Sequence, residues 1–330
     1  MENSDLQQQF FTFLKGQLPA HLSMVDELSD LLDISADSIY RRIRGEKPIT
    51  LPELKAICEH YKLSLDQMLQ LHNESVIFHA PEINGQGKDF TAYLKGLLAH
   101  LKHFNSFNRK KMLYFCKDMT FFHFYIFPEI AAFKTFFWIK TIKNDPAFSN
   151  AIFSLEDFSM EESFSIGQEL VKEYNNIPSL ELWNLESINS TISQIQYYRD
   201  SGTFKYAKDL ALVVDSLQHS LDHIQHQAEK GVKFMPGATD VSHKAPLQFY
   251  VNEVVLGSNT ILLELNETRL SFITYSVLNY IITKDHRFNE KVFDNFYNLL
   301  TRSTLISGTG EKERNRFFNN LRAKVQALKA

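Results

Sequence analysis

Val25–Leu69 reads VDELSDLLDISADSIYRRIRGEKPITLPELKAICEHYKLSLDQML. Val25, Leu28, Leu31 and Leu32 recur at helical spacing behind Ser23, a good N-cap residue, and predict a helix of about ten residues. Asp33-Ile34-Ser35 breaks that pattern. The Ser35 hydroxyl can accept from the N–H of Asp37 or Ser38, which starts a second short helix running to about Arg44, where Gly45 stops it. Thr50-Leu51-Pro52-Glu53 is a capping box with Pro in the first turn, and it opens a helix carrying Leu54, Ile57, Cys58 and Tyr61. Ser64 begins a last short helix through Leu65, Met68 and Leu69, and upstream Phe10, Phe13 and Leu14 supply the stripe of a first one. Five short helices around one small core are expected.

Two short helices joined by a tight turn, followed by a basic cluster and two more capped helices, form the layout of a helix-turn-helix DNA reader. The segment resembles the phage Cro/repressor type, or XRE family, over about residues 5–72. Leu28, Ile34-Ser35, Ile39, Arg44-Gly45 and Ser64-Leu65 carry the resemblance. It departs at Asp33, where the family often has Gly, and in Tyr40-Arg41-Arg42-Ile43, where the second buried position falls one residue late.

Such a fold lays the N-terminal part of its recognition helix on base edges while its flanks touch phosphates. By position, Ala36, Asp37, Tyr40 and Arg41 are the base-edge candidates, with Ser38 beside them. Arg41 can grip a guanine, Asp37 can accept from a cytosine amino group, and Ala36 can touch a thymine methyl. Ser35, Arg42, Arg44 and Lys47 are expected at phosphates. Standing alone, Arg41-Arg42-Ile43-Arg44 would read as a solvated helix face; the turn and caps around it favour a double-stranded DNA partner.

Charge argues the other way. Residues 1–72 hold 7 Lys/Arg and 11 Asp/Glu, so 7 − 11 = −4, the net charge of the whole chain. DNA affinity comes largely from released counterions, so an acidic reader is unusual. Four of the seven cations lie between 41 and 47, which can make one positive face on an acidic body. The alternative is an adaptor whose acidic helix-turn-helix binds a protein.

At 330 residues, 44% hydrophobic and 22% charged, the chain is expected to be a soluble protein of two domains: residues 1–72, a linker at 73–88, and a module at 89–330. The start, Met1-Glu2-Asn3-Ser4-Asp5, is acidic and polar rather than a signal peptide, and Cys58 and Cys116 are too few for a disulfide framework. Both point to the cytoplasm. Thr120–Ile139 is long and apolar enough to need a membrane check, but His123, Pro128, Glu129 and Lys134 interrupt it, so no span is expected.

The fold class expected is mainly α: the helix-turn-helix domain, then a helix-rich α+β module with a small antiparallel meander. Helices are predicted at about 90–104, 128–143, 161–174, 181–200, 205–229, 287–304 and 311–328. Strands are predicted around 112–117, 121–127, 247–256, 259–265 and 269–275, the last three forming the meander through turns at Gly257-Ser258 and Asn266-Glu267. The thirteen aromatics of Phe104–Trp138 read as core first, and as the lining of a ligand pocket second.

His219, His223 and His226 share one helix face opposite Leu210, Val214, Leu217, Leu221 and Ile224, so they point away from that core. No converging ligand is apparent, and neither a metal nor a cofactor is expected. Gly308-Thr309-Gly310-Glu311-Lys312 lacks phosphate-loop spacing, no hydrolase or zincin signature occurs, and no enzyme is expected. The resulting expectation is a one-component transcription regulator, a homodimer through its larger module, which senses a small apolar or aromatic effector.

Overall fold

The computed structural model describes residues 3–18, 22–61, 63, 65, 76–80, 90–253 and 257–329. The chain divides into two units, Met1–Ile77 and Phe78–Ala330. In the first, α1 (Asn3–Gln17), α2 (Met24–Leu32), α3 (Ala36–Ile43) and α4 (Leu51–Tyr61) surround a core of Phe10, Phe11, Leu14, Leu28, Ile39 and Ile57. Each start is set locally. Ser23 accepts from the Asp26 N–H, Ser35 from the Ser38 N–H, and Thr50 and Glu53 bond each other's N–H groups reciprocally. All of the expected fifth helix at 64–69 except Leu65 lies outside the described residues, as does most of the expected linker.

The second unit is built on a mixed seven-stranded sheet: β1 (Lys110–Cys116), β2 (Ser179–Trp183), β3 (Leu247–Val251), β4 (Thr260–Leu265), β5 (Thr268–Thr274), β6 (Tyr280–Thr283) and β7 (Thr304–Leu305), in the order β6-β5-β4-β1-β2-β3-β7. β1, β2 and β3 are parallel, in the register Leu113↔Leu180 and Leu182↔Tyr250. The other neighbours pair antiparallel. Eleven α-helices make the described chain mainly helical. Those of this unit are α5 (Phe90–Asn105), α6 (Pro128–Phe137), α7 (Glu161–Asn175), α8 (Asn189–Asp200), α9 (Ala207–Lys230), α10 (His286–Leu300) and α11 (Glu311–Gln326).

Alternation along the central strands splits the interior in two. Leu113, Phe115, Leu180, Leu182 and Leu262 pack with Phe293 and Phe296 of α10. Met112, Tyr114, Cys116 and Trp183 face the larger core, which takes Leu94, Phe133, Leu170, Ile195, Leu217 and Phe318 from the remaining helices. α7 comes so close to the turn at Tyr125 that a Cβ on Gly167 would lie 2.0 Å from the tyrosine ring.

The sheet corrects the expected small meander. β3 does not pair with β4; it runs parallel to β2, and two strands separate it from β4. The meander that exists is β4-β5-β6, and its first turn is Asn266-Glu267, with Asn266 in the left-handed region at φ 51°. The strand expected at 121–127 is a 3-10 turn over Phe121–Tyr125. The helix expected from 181 begins at Asn189, because β2 occupies 179–183. The aromatic run sits largely in the core. Among the described residues, no helix is long and apolar enough to cross a membrane.

A buried polar cluster ties the connection between β1 and β2 to the sheet. Glu181, in the middle of β2 and fully buried, accepts from Trp183 Nε1 (2.7 Å), Thr120 Oγ1 (3.2 Å) and the Tyr174 hydroxyl, with His123 Nε2 at 3.2 Å. Burial would raise its pKa, but His123 and the donated bonds outweigh that and hold the carboxyl at about 2. Lys233, equally buried, donates to Ser179 Oγ (2.6 Å) and to the Tyr174 carbonyl, and lies over the Tyr174 ring.

Candidate nucleic-acid interface

The turn between α2 and α3 takes three residues. Asp33 caps α2 in the left-handed conformation (φ 50°, ψ 49°), and the N–H groups of Asp33 and Ile34 both reach the Ser29 carbonyl. Asp is one of the few non-glycine residues that tolerates this conformation. Ser35 is extended (φ −65°, ψ 151°), which redirects the chain, and its Oγ accepts from the Ser38 N–H at 3.3 Å. Ile39 then buries fully in the core that holds Leu28.

Burying Ile39 turns the opposite side of α3 outward. Ala36, Asp37, Tyr40 and Arg41 are exposed together, with Arg41 52% exposed. These are the four side chains expected at base edges. Ser35 is exposed but its hydroxyl is spent on Ser38, which is half-buried. Arg44 and Lys47 are exposed at the far end of the helix.

Arg42 requires a correction. It was expected at phosphates, yet it is 3% exposed. Its Nε and Nη2 grip the Glu53 carboxylate at 3.1 and 2.5 Å, and Nη1 donates to the Ser38 carbonyl at 3.1 Å. Ile39 and Arg42 are three residues apart on the inward stripe, so Arg42 cannot share the outward face with Arg41. Burial would raise the Glu53 pKa, but hydrogen bonds from Arg42 and Thr50 hold it below the usual carboxylate range.

The outward cations are also partly answered. Glu46 accepts from Arg44 Nε at 2.6 Å and lies 3.9 Å from Arg41 Nε. The hydrogen bond to Glu46 raises the Arg44 pKa, and the same bond lowers that of Glu46. Counting Asp37, Arg41, Arg44, Glu46 and Lys47, the exposed surface carries 3 − 2 = +1.

Sequence reasoning missed what braces the segment after α3. Gln7 of α1 donates to the carbonyls of Arg42 (2.6 Å) and Lys47 (2.8 Å) and accepts from the Ile49 N–H (2.9 Å). Gln8 donates to the Arg44 carbonyl at 2.9 Å. Pairs separated by 35 to 42 residues leave no periodic trace, and a Gln-rich helix start reads as surface.

In the larger unit, His219 and His226 are exposed, but His223 turns inward, against the expectation for all three. It is hydrogen-bonded to the Phe234 carbonyl at 2.9 Å, and burial pushes its pKa down to about 4. No cluster of three metal-ligating side chains occurs among the described residues.

Residues 17–85 match the BetR domain, a helix-turn-helix type of DNA-binding domain associated with transcription regulators. The closer likeness to the Cro/repressor type rests on the residues alone. No curated protein and no solved structure matches the chain.

Proposed function

We propose that the chain is a sequence-specific, one-component transcription regulator whose first unit reads double-stranded DNA and whose second unit dimerises and senses an effector. The observation that carries the reading is the outward face of α3. Ala36, Asp37, Tyr40 and Arg41 stand exposed on a helix whose opposite side is fixed by Ile39 and Arg42. A helix whose outward face carries Ala36 and Asp37 in its first turn and Tyr40 and Arg41 in its last suits a major groove. Two half-sites read by two such helices would require a two-fold dimer, which the larger unit has the surface to supply. The reading assigns no catalytic step to either unit.

The test is selection of duplexes from a random pool by the purified full chain at two salt concentrations. An enriched motif with two half-sites supports the regulator. A second reading has its own observation: Glu46 against Arg44 and Arg41 leaves the face near neutral. No enriched motif at low salt would favour the adaptor, with a protein in place of DNA.

A further inference from the structure

Past the carboxyl end of β1 lies a cavity of about 120 Å³ walled by α5, the 3-10 turn, α6, the start of α8 and the β4–β6 meander. The region outside the carboxyl ends of parallel strands is where α/β sheets commonly receive ligands. Two donors at this cavity lack a matching charge or acceptor. Lys134 is 3% exposed, and its Nζ has only neutral oxygens, Gln194 Oε1 at 2.6 Å and Thr191 Oγ1 at 3.4 Å. Among the described residues, no carboxylate comes within ion-pair distance of it. Trp138 is 2% exposed, and its indole N–H has no hydrogen-bond partner. Buried polar groups are rarely left so.

The third wall carries the same sign. α8 starts at Ile188 and Asn189 without a side-chain cap, and Ser190 and Thr191 of its first turn line the cavity. Such a turn presents the positive end of the helix. The rest is largely aromatic and apolar, with Tyr93, Phe121, Phe124 and Trp138, and with the Lys134 Nζ 4.2 Å from the Phe124 ring centre; one carboxylate also lines the cavity, the half-buried Asp118, to which Asn259 Nδ2 donates at 3.5 Å. An apolar cavity of about 70 Å³, lined by Leu101, Phe104, Leu263 and Phe272, adjoins the first and shares Leu97, Phe122, Ile261, Thr274 and Tyr280 with it.

We propose that this pocket binds a small organic carboxylate with an aromatic or short apolar body, its carboxylate on Lys134 at the first turn of α8 and its body toward the apolar arm. This rests on the regulator reading and names the effector class for it. A bound anion restores the partner that the buried ammonium lacks, which a neutral or cationic molecule cannot do. Burial lowers the Lys134 pKa to about 7, with Asp118 offsetting only part of the effect, so the site meets its ligand partly uncharged and gains a proton on binding.

The full chain titrated with phenylacetate, 3-phenylpropionate and hexanoate, beside their primary amides, tests this. Tryptophan fluorescence reports binding, because Trp138 lines the pocket. A carboxylate should bind at sub-millimolar Kd, and Lys134→Met should weaken it by about tenfold or more, the scale of a lost charge-assisted hydrogen bond. Trp138→Phe should weaken it less. Lys134→Met also relieves a buried charge, so a folding failure does not mask the outcome. Equal binding of acids and amides, binding indifferent to Lys134→Met, or no binding by any of the three acids overturns the proposal. DNA affinity measured with and without the bound acid separates the two claims. Lys134-dependent binding that leaves DNA affinity unchanged keeps the site and overturns sensing.

Discussion

Arg42 and Glu53 form a two-point ion pair that closes α3 onto the first turn of α4, with Nη2–Oε1 at 2.5 Å and Nε–Oε2 at 3.1 Å. The same Glu53 carboxylate accepts from the Thr50 N–H, so one side chain caps α4 and anchors α3. The basic cluster Arg41-Arg42-Ile43-Arg44 is thereby divided: Arg42 ties α3 to α4, Ile43 packs on the core, and Arg41 and Arg44 face outward.

Arg42→Ala should therefore act on stability. It removes three hydrogen bonds and leaves Glu53, 19% exposed, without its cation. The expected cost is about 2–3 kcal/mol, below that of a fully buried pair because Glu53 retains some solvent. Urea unfolding followed by circular dichroism measures it. Glu53 has a lowered folded pKa, so its contribution is present above its ordinary range near pH 4.5 and is lost as pH falls through the folded value. In Arg42→Ala that acid sensitivity should shrink; an unchanged acid profile would contradict the assignment.

Glu46→Gln should strengthen DNA binding without sharpening it. It frees Arg44 and Arg41 from an exposed carboxylate and raises the exposed charge of the reading surface from +1 to +2. Phosphate attraction is blind to sequence. Affinity for scrambled and selected duplexes should rise alike in a polarisation titration, with a steeper salt slope. A loss of affinity would mean that Glu46 itself accepts from a base.

Lys134 makes the stability of the larger unit depend on alkaline pH. Its folded pKa is about 7 and its ordinary value 10.5, so between them the unfolded chain holds a proton that the folded chain lacks. Stability should rise with pH across that window. Lys134→Met should be more stable than wild type near pH 7, by a margin of the order of a few kcal/mol, and the margin should close toward pH 10. Urea midpoints at three pH values check it; a margin independent of pH would show that the ammonium is not desolvated.

Gly167→Ala separates helix propensity from packing. In an open helix the change would gain about 1 kcal/mol. Here the new methyl would meet the Tyr125 ring, itself fully buried and bonded to Thr135 Oγ1 at 3.1 Å. Overpacking should win, with a net loss of about 1–3 kcal/mol in chemical denaturation. A stabilised variant would mean that the ring moves freely.

Much of the reader was legible because its signals are local. Ser35, Thr50-Leu51-Pro52-Glu53 and the α2 stripe act within a few residues, and the structure places caps and helices there. Arg42 was misread because the stripe slips one residue: Ile39 and Arg42 share the inward side, and an arginine there looks basic until Glu53 is found eleven residues away. The larger unit was less legible. β2 is five residues long and buried on both faces, so Leu180-Glu181-Leu182-Trp183 has no alternation and continues visually into α8. The pairing of β3 with β2 rather than β4 depends on strands some seventy residues apart, which no turn residue encodes. Lys134 and Trp138 are four residues apart in an aromatic stretch, and only the structure shows that the ammonium meets neutral oxygens and that the indole N–H has no acceptor.

The central claim is that the outward face of α3 reads bases. Competition binding of the full chain and Arg41→Ala to the selected duplex, and to single-base variants of it, tests that most directly. The account predicts that wild type discriminates at a guanine by about 1–3 kcal/mol and that Arg41→Ala loses discrimination at that one position while keeping the others. Wild type binding all duplexes alike, or Arg41→Ala weakening every duplex equally with discrimination intact, would contradict it.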